Sequence, residues 1–102
     1  MSLGLNMAKI ARIEADRIYA LILPEEPGET VTVPVSYLTN VMNTGQKLQE
    51  LAPNYIKTGL EKLEATATIR KFRRKAVIPK ESLAFLAAAF RIAADTAEGR
   101  RP

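Results

Sequence analysis

The chain has 102 residues, 47% hydrophobic and 25% charged, which suffices for one globular core and excludes global disorder. It has no histidine and no cysteine, which removes disulfide scaffolds, thiolate or imidazole metal sites and most routes to nucleophilic catalysis. The net charge of +4 is unevenly spread: residues 1–56 carry 4 Lys/Arg against 6 Asp/Glu, whereas residues 57–102 carry 11 against 5. A chain polarised in this way suits an anionic partner or an acidic surface on another protein.

Residues 1–7 show no basic n-region, and the apolar run Ile18–Leu23 is too short to span a bilayer. The expectation is a cytoplasmic protein with no membrane association. Residues 1–7 are set apart as a tag-like or disordered terminus, residues 8–98 form a single domain, and 99–102 form a basic tail. In residues 8–23, Ala11, Ile13, Ala15, Tyr19, Leu21 and Leu23 share one face of a strand, interrupted only by Arg17. A helical wheel leaves no clean apolar stripe there. The pattern predicts two short strands turning near Ala15–Asp16.

Two prolines and a glycine between Pro24 and Gly28 make a loop. Thr30-Val31-Thr32-Val33 alternates and is wholly β-branched, so it reads as a strand, and Pro34 closes it or places it at a sheet edge. Ser36 is the expected N-cap of a helix over 37–51, with Tyr37, Val41, Thr44, Leu48 and Leu51 as its stripe. Pro53 starts a second helix carrying Ile56, Leu60 and Leu63. Continued to Lys75, that helix would put Lys71 and Arg74 on its apolar stripe, so it should end near Glu64–Ala65. The segment 65–78 then reads as a strand. Pro79 opens a last helix over 80–98, with Glu81 in its first turn and Gly99 just past its end. The fold class is α+β: a small, mostly antiparallel sheet from N-terminal strands plus a strand near 65–78, packed by three helices at about 37–51, 53–64 and 80–98.

The last helix is apolar on nearly all sides. Leu83, Leu86, Ala87, Phe90 and Ala94 form one stripe, and Phe85, Ala89 and Ile92 form a second nearly opposite. Such a helix is either central in the core or shared with another chain. Two layers over one helix are hard to assemble in a domain this small. Phe85, Ala89 and Ile92 are therefore the candidate self-association face, with a homodimer the expected assembly.

Residues 70–75 read RKFRRK, five cations around one aromatic. As a strand, this shows Arg70 and Arg74 flanking Phe72 on one face and Lys71, Arg73 and Lys75 on the other; a hairpin bend is the other reading the sequence leaves open for 70–75. Arrays of this kind engage phosphate backbones, and an interleaved aromatic can stack on a base. The expected partner is DNA or RNA, bound without sequence preference, with Lys57, Lys62, Lys80, Arg100 and Arg101 adding charge. The alternatives are a guarded edge strand and a docking strand for an acidic protein in an assembly role.

Catalytic candidates are weak. Glu14 and Asp16 would share one strand face, but opposite the inferred core, and Glu25 and Glu26 fall in the Pro-Gly loop. Thr44-Gly45-Gln46-Lys47 lacks the upstream glycine and the final Ser/Thr of a phosphate-binding loop and lies inside a predicted helix. The expectation is a binding protein without catalytic residues, cofactor or metal.

Overall fold

The computed structural model describes residues 3–23, 29–70 and 72–99. In chain order they form α1 (Leu3–Ile22), β1 (Thr30–Pro34), α2 (Val35–Leu48), a 3-10 turn (Gln49–Leu51), α3 (Pro53–Thr66), β2 (Thr68–Arg70), β3 (Lys75–Pro79) and α4 (Lys80–Ala97). The class is α+β with a small three-stranded antiparallel sheet, ordered β1-β3-β2. Central β3 pairs with β1 from Thr30↔Pro79 to Pro34↔Lys75, and with β2 from Thr68↔Val77 to Arg70↔Lys75. Pro34 does close an edge strand, where its missing N–H costs no ladder bond.

The first element departs from the sequence expectation. Residues 8–22 are helical, and the helix begins at Leu3, inside the stretch set apart as a terminus. Its buried stripe is Ala8, Ala11, Ala15 and Ile18, spaced alternately three and four residues. Three of these are alanines, the best helix formers, and they lend little hydrophobic weight to a wheel. The residues that favoured a strand misled for the opposite reason: Ile13 and Leu23 are bulky but exposed. Helix geometry also separates Glu14 from Asp16, two residues apart and so on different faces.

The small stripe of α1 lies against α4, the most extensive contact between any two elements. Arg12 reaches Asp95 and Glu98, while Arg91 stacks 4.5 Å over the Tyr19 ring, so the helices run antiparallel. On another face of α4 sits α3, where an added Cβ on Gly59 would lie 3.0 Å from Leu86 Cδ1. Gly45 of α2 is similarly tight against Leu60 of α3. The buried Ser82 hydroxyl at the start of α4 bonds the Thr66 hydroxyl at 2.8 Å, and Thr66 in turn donates to the Lys62 carbonyl. Thus α4 is the central helix, contacted by α1, α3, the 3-10 turn and β3.

The remaining helix ends follow local chemistry. Pro34, not Ser36, occupies the N-cap of α2, because the helix starts directly from the end of β1. Pro79 likewise ends β3 and caps α4. Gly99 has φ +77, a left-handed conformation open to glycine, and its N–H donates to the Thr96 carbonyl.

Candidate nucleic-acid interface

The basic segment is the bend of a hairpin and not a strand. Arg70 ends β2, Lys75 begins β3, and the two face each other across the ladder. Phe72, Arg73 and Arg74 lie in the turn between them, so the two-faced alternation expected of a strand does not arise. Lys71 lies outside the described residues, as do Arg100, Arg101 and the Glu25/Glu26 pair. The physical reason for the bend is register: Ala76 and Ile78 are buried on central β3, and Ile69 faces Ala76 across the ladder. A straight strand through 70–75 would leave β3 without its second neighbour.

Three features hold the bend. The Arg73 N–H donates to the Arg70 carbonyl at 3.3 Å, closing the turn. Arg74 takes φ +50, the only positive φ at a non-glycine among the described residues. The Arg74 carbonyl then accepts from the Val35 N–H at 3.0 Å, which ties the hairpin tip to the first residue of α2. That helix start has no side-chain cap. Its partial positive charge therefore adds to the field of the neighbouring cations.

Between the two elements lies an open concavity of about 670 Å³, lined by Pro34, Val35 and Ser36 on one side and Ile69, Arg73, Arg74 and Lys75 on the other. Arg70, Arg73, Arg74 and Lys75 are all exposed. Phe72 projects from the tip at 104% relative exposure, the most exposed large apolar side chain described, and Ile69 beside it on β2 is 51% exposed. The arrangement is a compact cationic tip bearing one unburied aromatic ring.

The structure also offers a helix that sequence reasoning did not single out. α2 and α3 are joined by a four-residue connection, Gln49 to Ala52, which is helix-turn-helix connectivity. Opposite its buried Ile56, Gly59 and Leu63, α3 exposes Asn54, Lys57, Thr58 and Glu61. The signal was present in the sequence as an outer stripe of polar groups able to donate or accept hydrogen bonds. That stripe holds one cation and one carboxylate, so unlike residues 70–75 it has no charge signature in the sequence.

The Phe85/Ala89/Ile92 face is occupied from within the chain. Ala89 is 2% exposed, and Ile92 is half-buried against the core. Phe85 is half-buried beside Gly59 of α3, with the Lys62 ammonium 5.5 Å above its ring. α1 adds a layer on α4 beyond the sheet and the 37–64 helices expected from the sequence. Among the described residues, no group of three or more Asp or Glu is placed to hold a metal ion. No helix among them is long and apolar enough to cross a membrane. Compared with protein-family models, curated proteins and solved structures, the chain matches none of them.

Proposed function

We propose that the protein binds duplex DNA, with the basic hairpin tip anchoring on the phosphate backbone and the outer face of α3 lying toward the major groove. The observation that carries this reading is the exposed cationic tip, Arg70, Arg73, Arg74 and Lys75, fixed against the start of α2. Phosphate contacts by Lys and Arg release condensed counterions, and a cationic tip beside a helix start with no side-chain cap suits that exchange. The hairpin follows directly after the helix-turn-helix pair, so tip and α3 can address one duplex together.

The side chains on α3 are of the kinds that read base edges. Asparagine pairs with adenine, lysine with guanine, glutamate accepts from cytosine, and threonine serves either as a hydrogen-bonding group or against the thymine methyl. Duplex RNA is a poorer fit, because its deep, narrow major groove excludes a helix. Single strands would meet the charge of the tip but leave α3 unused. Binding is therefore mostly backbone-driven, with sequence preference contributed by Asn54, Lys57, Thr58 and Glu61.

The test is fluorescence anisotropy at ~50 mM salt, where non-specific attraction is strong, on a duplex and on each of its separate strands. The reading predicts tighter duplex binding and strong weakening on changing Arg70, Arg73 and Arg74 to Gln. Equal or better binding to single strands removes α3 from the interface, and no binding to either removes nucleic acid. In the second case the tip becomes a docking hairpin for an acidic protein surface.

A further inference from the structure

Resting on the duplex reading, we propose that Phe72 is a wedge that enters the base stack from the minor groove and kinks the DNA. The starting point is the cost of its position. A phenyl ring held wholly in water forgoes the gain that burial gives every other phenylalanine of this chain, since Phe90 is fully buried and Phe85 half-buried. Nothing in the local backbone requires an aromatic at that point of the turn. The ring shares one hairpin with Arg70, Arg73, Arg74 and Lys75, so it is delivered wherever those cations find phosphates.

The tip is tied to the fold as well as exposed. The Arg73-to-Arg70 and Val35-to-Arg74 backbone bonds fix both sides of the turn. A fixed ring loses less freedom on insertion than one on a loose loop. Shape separates the possible uses of the ring. Bases of single strands stack on aromatic platforms inside grooves, and here one ring stands on a convex tip, the form that fits a gap between base pairs. The minor groove is about 6 Å wide, room enough for a single apolar side chain to reach a base step. An anionic bilayer would also accept a basic tip with one aromatic, but stable membrane attachment takes a larger apolar contribution than one ring.

Insertion of an apolar wedge partly unstacks one step and bends the duplex by about 20–90° toward the major groove. Pyrimidine–purine steps unstack most easily, so the preferred substrate is a duplex with a flexible step such as TpA, or one already bent.

The experiment uses a duplex of about 30 base pairs, dye-labelled at both ends, with 2-aminopurine beside a central TpA step. The wild-type protein should shorten the end-to-end distance and raise 2-aminopurine fluorescence. Phe72→Ala should bind with the same salt dependence, lose about tenfold in affinity and leave the duplex straight. Phe72→Leu, still an apolar wedge, should keep part of the bend. The ring is fully exposed, so neither change disturbs the core. A straight duplex under saturating wild-type protein, or an equal bend with Phe72→Ala, overturns the wedge while leaving duplex binding intact. Absence of duplex binding overturns both readings. Phe72-dependent binding to phosphatidylserine vesicles in place of duplex assigns the ring to a membrane and overturns the wedge.

Discussion

The Val35 amide donates to the Arg74 carbonyl at 3.0 Å, and this one bond joins the hairpin tip to the start of the helix-turn-helix pair. Arg74 can accept it because its φ is +50, a conformation that costs a residue with a Cβ roughly 1–2 kcal/mol. On backbone grounds alone the position favours glycine over arginine.

Arg74→Gly should separate backbone strain from side-chain charge. Glycine relieves the left-handed strain, partly offset by greater freedom of the unfolded chain, so the melting temperature should hold or rise by a few degrees. The salt dependence of DNA binding should fall by about one in slope. A marked loss of stability would show that the arginine side chain holds the turn.

The two tight glycines should respond differently to alanine. At Gly59 the added Cβ meets Leu86, whose side chain is fully buried and whose Cα is 3.5 Å away, so the neighbour has nowhere to move. Gly59→Ala should cost about 1 kcal/mol or more despite the better helix propensity. At Gly45 the clash is shorter, 2.7 Å, but it falls on the far end of the half-buried Leu60. Gly45→Ala should stay within about 1 kcal/mol of wild type in urea melts, because the leucine can swing. The reverse order would show that the α3–α4 seam at Gly59 is looser than the α2–α3 seam at Gly45.

Tyr37 supplies a test by pH. Its buried hydroxyl has no hydrogen-bond partner among the described residues. Burial first, and the Glu14 charge second, raise its pKa above the usual 10, with Arg17 opposing. The unfolded chain therefore loses this proton first, so the stabilisation is full below pH 10 and is lost as pH rises from 10 through the raised value. Tyr37→Phe should be neutral or stabilising at pH 7, because it deletes an unsatisfied polar group. Its stability should also fall less steeply above pH 10. A clear loss at pH 7 would mean the hydroxyl has a partner in solution.

Replacing Phe85 and Ile92 together by Asp should collapse the fold. Both side chains are half-buried, Ile92 against the core and Phe85 beside Gly59 and the Lys62 ammonium, and a carboxylate at each position loses that apolar contact and is partly desolvated. Circular dichroism and sedimentation of the variant decide the matter: a folded monomer derived from a wild-type dimer would restore that face as an interface.

What the sequence disclosed depended on which side chains carry bulk. Val31, Val33 and the proline-bounded last helix were legible because β-branching, Pro79 and Gly99 act locally. α1 was not, because its core stripe is Ala8, Ala11 and Ala15, and small side chains become a packing face only when α4 lies on them. Read as strands, residues 8–22 give α4 one helical layer fewer than the fold has. Residues 70–75 were found by composition alone. Their bend was not, since it follows from pairing Arg70 with Lys75 across a sheet whose order no local pattern contains. α3's outer stripe became visible as a surface only once Ile56, Gly59 and Leu63 were seen to face inward.

The most direct test of duplex binding is the salt dependence of affinity for one duplex, wild type against the Arg70, Arg73 and Arg74 to Gln variant. If three to five tip cations engage phosphates, a plot of log affinity against log salt is linear with slope about −3 to −4.5, and the variant's slope is shallower by about 2.7. A wild-type slope near zero, or a variant slope equal to the wild type's, would contradict the assignment of the hairpin tip as the phosphate anchor.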